Sequence, residues 1–183
     1  MPVKLPAVTE YFPGLLPLLA GNRRRALDGG IPDADLRPAL QILSASTAFE
    51  HVSSHSGGRR QPADPDMAAC CIAAVWLLHD FLDESHAISQ SIDTAEGNYW
   101  HAVMHRREGD FSNSKYWYRH VGNHPVYAAL AETCHREWEP FAFVDECQAV
   151  ARGKSESRDL CLDLQQVEWE VLFDYCYRNA IGH

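Results

Sequence analysis

Histidines and carboxylates recur at helical spacing in the middle of the chain. Two such runs, with steps of four and then three residues, are formed by His79, Asp83 and His86 and by His101, His105 and Glu108. Steps of three and four place side chains on one face of an α-helix. Imidazole and carboxylate groups on facing helices are the ligands with which helical bundles bind metals, so these six residues are candidate metal ligands. The mixture suits Zn, Fe, Mn or Ni and does not choose among them.

The same residues indicate what chemistry the site could perform. A bound divalent metal would activate water, with His101, His105, Glu108 and Asp83 as candidate catalytic groups, either as ligands or as acid–base groups. Without metal, a histidine oriented by Asp83 or Glu108 could serve as a general base near neutral pH. Two other interpretations stay open at this point. The runs could form a buried hydrogen-bond network, because buried polar groups need partners, or they could be a solvent-exposed face.

A basic and aromatic strip overlaps the second run. Residues 98–124 carry a local charge of +2, whereas the rest of the chain carries −11. The candidate ligands for a small anionic substrate are the four basic residues Arg106, Arg107, Lys115 and Arg119. Charge-assisted hydrogen bonds from such groups hold anions well. The competing interpretation is that Arg106 and Arg107 pair with nearby acidic side chains and that the tyrosines and tryptophans of the strip belong to the core.

Composition excludes several classes of protein. The 183 residues carry a net charge of −9, which argues against a general binder of double-stranded nucleic acid and against docking on anionic lipid. The six cysteines include no CxxC pair, so we expect free buried thiols and a reducing compartment. The longest uncharged apolar run, residues 67–78, spans twelve residues, and a membrane helix needs about 20. We therefore predict a cytoplasmic protein without a membrane span.

The elements that must position these residues are helices. Residues 1–32 hold five of the ten prolines and predict an irregular N-terminal arm, followed by a single α-helical domain over residues 33–183. Capping residues and apolar spacing predict helices over about 33–54, 66–91, 95–108, 110–122, 125–138, 141–152 and from 157 to near the C-terminus. The short connection at 91–94 makes two of these antiparallel neighbours. The predicted fold is an all-α bundle of about six or seven helices.

One string of residues resembles a signature of an uncharacterised bacterial family of all-helical proteins. It starts at Tyr99 and ends at His124, with the pattern YWHxxMHRREGDxxNxKYWxRxxGxH. The segment from His79 to His86 is similar to a companion motif, and together the two cover about a quarter of the chain. The resemblance implies no particular reaction.

Two functional hypotheses follow. The first is a metal-dependent hydrolase that acts on a small anionic substrate. The second is a non-catalytic module that senses a small molecule or binds a protein, in which the His/Asp/Glu residues form a structural hydrogen-bond network. Homo-oligomerisation is compatible with both. The sequence has no GxSxG, P-loop, GxGxxG or HExxH motif, so it gives no support to serine-hydrolase, P-loop or Rossmann chemistry.

Overall fold

The computed structural model describes residues 11, 14–21, 24–44, 49 and 62–182, and within these ranges every regular element is helical. The α-helices are α1 (Leu16–Leu19), α2 (Arg37–Gln41), α3 (Pro65–Leu78), α4 (Leu82–Ser89), α5 (Ala95–Glu108), α6 (Phe111–Val121), α7 (Pro125–Cys134), α8 (Pro140–Ala151) and α9 (Arg158–Ile181). A 3-10 turn, Ala34–Leu36, precedes α2. The all-α class is confirmed, with nine α-helices in the described ranges instead of the six or seven predicted.

Capping residues set the ends of α5 and α6, the two helices that carry most of the candidate site. Helix α5 begins where the Thr94 hydroxyl accepts a hydrogen bond from the Gly97 amide at 3.1 Å. It ends at Gly109, whose φ of 87° is a left-handed conformation that suits glycine. Helix α6 begins where the Asp110 carboxylate accepts from the Asn113 amide at 3.0 Å. Both helices lie where the capping pattern predicts them, and this sets the position of His101 and His105.

The prediction of one continuous helix over residues 66–91 was wrong. The chain turns between α3 and α4 at Asp80, a non-glycine residue with φ of 64°. Arg107 of α5 binds this turn. Its guanidinium donates to the Leu77 carbonyl at 3.1 Å and forms an ion pair with Asp80. The turn therefore depends on a residue that lies on another helix.

The N-terminal arm also packs against this turn. Gly30 comes so close that a Cβ atom there would lie 2.5 Å from the Asp80 carboxyl carbon. The Asp33 amide donates to the His79 carbonyl at 3.4 Å. The described part of the arm includes the single helical turn α1 and buries Leu15, Leu18, Leu19 and Leu27. Of the helix predicted over 33–54, the structure shows Ala34–Leu36 and α2, and residues 45–48 and 50–61 lie outside the described residues.

Helix α9 packs against α3, α7 and α8. It is 24 residues long, and polar residues as well as apolar ones are buried along it. Its Trp169 indole donates to the Ala74 carbonyl of α3 at 3.0 Å. All six cysteines are free thiols and five of them are buried, as predicted. In the described part of the chain, no helix has both the length and the apolar character needed to cross a bilayer.

Candidate metal centre

Three histidines from two helices meet at one point. Helix α5 places His101 and His105 one turn apart, with ring centroids 4.6 Å from each other. His86 of α4 lies over both rings, at 4.6 Å from His101 and 5.2 Å from His105. One ring nitrogen from each residue lies within 4.8 Å of those of the other two. Nitrogens that share a zinc ion lie roughly 3.3 Å apart, so the rings would have to rotate to coordinate one ion together. We call these residues the three-histidine cluster.

His101 is the most unusual member of the cluster. Its side chain is buried, with 2% of its surface exposed. Neither Nδ1 nor Nε2 has a hydrogen-bond partner among the described residues. The ring stacks on the Trp117 indole, with centroids 4.0 Å apart. An unpartnered buried polar group costs about 1–3 kcal/mol, so a hydrogen-bond network does not account for this histidine.

The electrostatic surroundings keep His101 neutral. Burial lowers its pKa to about 3, and the neighbouring imidazoles of His105 and His86 add to the effect. A neutral imidazole has a free lone pair on one nitrogen, which is the form that binds a metal. Protons therefore do not compete with a metal at this nitrogen near neutral pH.

His105 has partners that fix its tautomer. Its Nδ1 lies 2.5 Å from the Glu108 carboxylate. Since a carboxylate accepts, Nδ1 carries the proton and Nε2 presents the lone pair. A histidine with a carboxylate on its second nitrogen is typical of metal sites. The side-chain nitrogen of Asn113 lies 3.0 Å from Nε2 and 3.4 Å from Nδ1.

Carboxylates lie at the open side of the cluster. Glu108 and Asp110 each present an oxygen within 4.8 Å of one His105 nitrogen and of each other. Hydrogen bonds from the Asn113 amide and the Ser112 hydroxyl lower the pKa of Asp110. The negative charge beside His105 favours a cation over an anion at this edge.

The structure does not bring His79 and Asp83 to the cluster. Because the chain turns at Asp80, His79 no longer shares a helix face with His86. Its Nε2 lies 2.8 Å from the Leu18 carbonyl, and burial lowers its pKa. Asp83 is exposed and belongs to neither group of converging ligand atoms. Of the six predicted ligands, the structure gathers His86, His101, His105 and Glu108.

Arg106 is held inside the protein. It is 1% exposed and forms an ion pair with Glu168, which is fully buried. Its guanidinium also donates to the Tyr118 hydroxyl at 3.1 Å and lies over the Phe143 ring. Glu168 in turn accepts from the Tyr118 hydroxyl at 2.8 Å and from Tyr99 at 3.2 Å. Burial acts to lower the pKa of Arg106, but Glu168 outweighs it and raises the pKa, so Arg106 keeps its charge.

The other predicted anion ligands also have partners away from the cluster. Arg107 binds the turn at Asp80. Lys115 is 2.5 Å from Asp145 of α8, and Arg119 is exposed with its guanidinium 6.0 Å from the centre of the Phe141 ring. The four cations are thus not gathered into one anion site beside the three-histidine cluster.

Sequence reasoning missed two residues that matter here, Asn113 and Glu168. Asn113 belongs to the signature string, but nothing in the string assigned it a role. The sequence gave a weak indication that Glu168 is buried. It lies four residues after Leu164 and four before Leu172, so it shares a face of the last helix with these apolar residues. A carboxylate at a buried position calls for a cationic partner. That partner, Arg106, lies 62 residues away in the chain.

Compared with models of protein families, with curated proteins and with solved structures, the chain matches none. Fold and site define its class: an all-α protein with three histidines converging between two helices of the bundle.

Proposed function

We propose that the protein binds a divalent transition-metal ion through His86, His101 and His105 and uses it to hydrolyse a small substrate. The observation that carries this proposal is His101, a buried imidazole with both nitrogens unpartnered among the described residues. It lies where two further ring nitrogens converge. A metal ion supplies the partner that the described protein groups do not.

The alternative, a purely structural network, is less well supported. In such a network each buried nitrogen would have a donor or acceptor of its own. His105 meets this condition through Glu108 and Asn113. His101 does not, and its low pKa of about 3 keeps it from acting as a charged donor near neutral pH.

Three histidines suggest how the metal would act. Catalytic zinc sites have three protein ligands and leave a fourth position to water or substrate, whereas structural sites use four. The metal would lower the pKa of that water and polarise the bond to be cleaved. Glu108 would hold His105 in the tautomer that presents Nε2, and Asn113 would turn away from that nitrogen. The positive charge that meets an anionic substrate would come from the metal, since the four predicted cations have other partners.

Metal content tests the proposal. Protein purified without an affinity tag and supplied with Zn²⁺ should hold about one ion per chain by elemental mass spectrometry. The double variant His101→Ala/His105→Ala should lose it. Asp83→Asn is the matched control, because it removes a predicted ligand that lies outside the cluster and should keep the ion. Hydrolysis of phosphate and carboxylate esters should then disappear with the metal and return when it is added back.

Two results would contradict the proposal in different ways. Wild-type protein that takes up no Zn, Fe, Mn or Ni would refute the metal centre. Stoichiometric metal without turnover of any ester would refute the hydrolase and leave a metal-binding protein.

A further inference from the structure

The side chain of Asn113 lies against the nitrogen of His105 that a metal would take. Asn113 belongs to the first turn of α6, where its backbone amide donates to the Asp110 carboxylate at 3.0 Å. Its side-chain Nδ2 lies 3.0 Å from His105 Nε2, and the residue is half-buried. The three-histidine cluster therefore has a side-chain amide beside one of its ligand nitrogens.

The hydrogen bonds of His105 determine which end of this amide faces it. Nδ1 of the neutral ring donates to the Glu108 carboxylate at 2.5 Å, so Nε2 carries no proton. A nitrogen with only a lone pair needs a donor, and the donor end of an asparagine amide is its NH2 group. The 3.4 Å contact between Asn113 Nδ2 and His105 Nδ1 joins two donors and is not a hydrogen bond. Asn113 therefore directs an N–H group at His105 Nε2.

Metal binding would deprive this N–H group of its acceptor. A zinc ion would lie about 2.0–2.1 Å from Nε2, on the lone pair that now accepts from Asn113. In the described part of the chain, no group other than His105 accepts from Asn113 Nδ2. The nearby carboxylates already accept other hydrogen bonds, Glu108 from His105 and Asp110 from Ser112 and the Asn113 backbone. A metal ion would bring a new acceptor, the oxygen at its open position.

This oxygen would lie in the same region as the amide. An oxygen and a nitrogen that share a zinc ion lie roughly 3.3 Å apart. Asn113 Nδ2 is now 3.0 Å from the same His105 nitrogen. The backbone of Asn113 is held at the start of α6, so the amide can rotate away from Nε2 and still stay beside the metal. The donor and the incoming acceptor are therefore neighbours.

We propose that Asn113 binds the substrate together with the metal, by donating from Nδ2 to the oxygen that takes the open position. This inference rests on the proposed metal centre. It also defines the class of ligand, which is a carbonyl, carboxylate or phosphoryl compound. Such an oxygen has one lone pair for the metal and a second for Asn113. A ligand that binds the metal through a nitrogen with a single lone pair cannot accept from Asn113 at the same time.

Two small ligands that differ in this respect test the proposal. The 183-residue chain is loaded with Co²⁺, since the Zn²⁺ ion has a filled d shell and is colourless. Acetate and imidazole are then titrated, and the visible absorption of Co²⁺ reports their binding. Asn113→Ala should bind acetate at least about tenfold more weakly than wild type, because a hydrogen bond to a charged oxygen is lost. Its affinity for imidazole should be unchanged.

A matched control and a second measurement separate this role from a structural one. Ser112→Ala changes the adjacent residue, whose hydroxyl donates to Asp110 at 2.8 Å, and should bind acetate as wild type does. Asn113→Ala should bind Co²⁺ at least as tightly as wild type, because the N–H group that competes for His105 Nε2 is gone. A residue that only supported the shape of the cluster would weaken Co²⁺ binding when removed.

Several outcomes would overturn the proposal. They are equal acetate affinity in wild type and Asn113→Ala, a parallel loss of imidazole binding, the same loss in Ser112→Ala, or weaker Co²⁺ binding in Asn113→Ala. So would the absence of a spectral change in wild type at about 100 mM acetate, a hundredfold above a Kd of about 1 mM. The first of these would mean that the amide turns to a carboxylate instead.

The failure of this inference can be told from the failure of the metal centre. Wild-type protein that binds no Co²⁺ and no Zn²⁺ refutes the metal centre and this inference with it. Normal Co²⁺ binding with unchanged acetate affinity in Asn113→Ala refutes the role of Asn113 alone. If Asn113→Ala does not fold, Asn113→Asp keeps the shape of the side chain and replaces the donor by an acceptor. It should abolish acetate binding.

Discussion

The two sides of α5 bury polar residues in opposite ways. On one side Arg106 and Arg107 carry charges that the protein itself compensates, with Glu168 and Asp80. On the other side His101 is equally buried, yet both of its nitrogens are without a partner in the described structure. The same helix thus holds two buried charges with ion-pair partners on one face and, on the other, a buried imidazole that makes no hydrogen bond with the described residues.

This difference separates structural from functional polarity. A buried group whose partners all come from the chain is explained by the fold, and its removal should affect stability. A buried group without partners lowers stability as the chain stands, and where several such groups converge they offer a place for a ligand that the chain does not supply. Arg106 and His101 therefore make opposite predictions under substitution.

The largest effect is expected from Arg106→Met. The substitution leaves Glu168 as an uncompensated charge in the core, which costs about 3–5 kcal/mol of unfolding free energy. Urea denaturation followed by circular dichroism measures the loss. The double variant Arg106→Met/Glu168→Leu removes both charges and should recover most of it. If the unfolding free energy of Arg106→Met lies within about 1 kcal/mol of the wild-type value, Arg106 and Glu168 do not form a stabilising ion pair. The comparison between the two sides of α5 would then fail.

Two buried histidines, His124 and His101, are expected to change the free energy of unfolding by less than Arg106 does, and they can be compared directly. His124 has partners on both nitrogens, since Nδ1 accepts from the Val126 amide at 3.2 Å and Nε2 lies 3.3 Å from Glu96. His124→Phe should therefore cost about 1–3 kcal/mol in the metal-free protein. His101→Phe removes no hydrogen bond and keeps the stack on Trp117, so it should change the same free energy by less than about 1 kcal/mol.

Metal-free protein is essential for this pair, because a bound ion would stabilise the wild type and not His101→Phe. Thermal and urea unfolding in the presence of a chelator supply the comparison. A larger loss in His101→Phe than in His124→Phe would show that His101 has a structural partner after all.

Much of the positioning of the site could be predicted from the sequence. Thr94, Gly109 and Asp110 mark the ends of α5 and α6 by local chemistry, and the structure follows them. Given α5, the spacing of His101 and His105 places them on one face. These features depend on residues within one or two turns, which is the range that a sequence pattern reports reliably.

The rest depends on contacts between distant parts of the chain. The turn at Asp80 contains no glycine or proline, and it is held by Arg107 and by the approach of Gly30. No pattern in residues 66–91 predicts this turn, so the prediction that His79 and His86 lie on one helix face was wrong. In the same way, the sequence shows that Arg106 is a cation but does not show that it pairs with Glu168. Ion pairing inside a bundle depends on the order of the helices in space.

The smallest expected effect is a change in pH dependence at Glu96, the carboxylate that satisfies His124. The hydrogen bond with His124 lowers the pKa of Glu96 from its ordinary value of 4.5. The unfolded chain therefore takes up a proton at a higher pH than the folded one. The stability that this pair contributes is present above pH 4.5 and is lost as the pH falls through the lowered pKa. Glu96→Gln cannot titrate, so its unfolding free energy should fall less steeply over this acid range, by less than about 1 kcal/mol. Urea midpoints measured across this range for both proteins supply the test. Parallel curves would mean that His124 and Glu96 are not coupled, and His124 would then no longer be the partnered counterpart of His101.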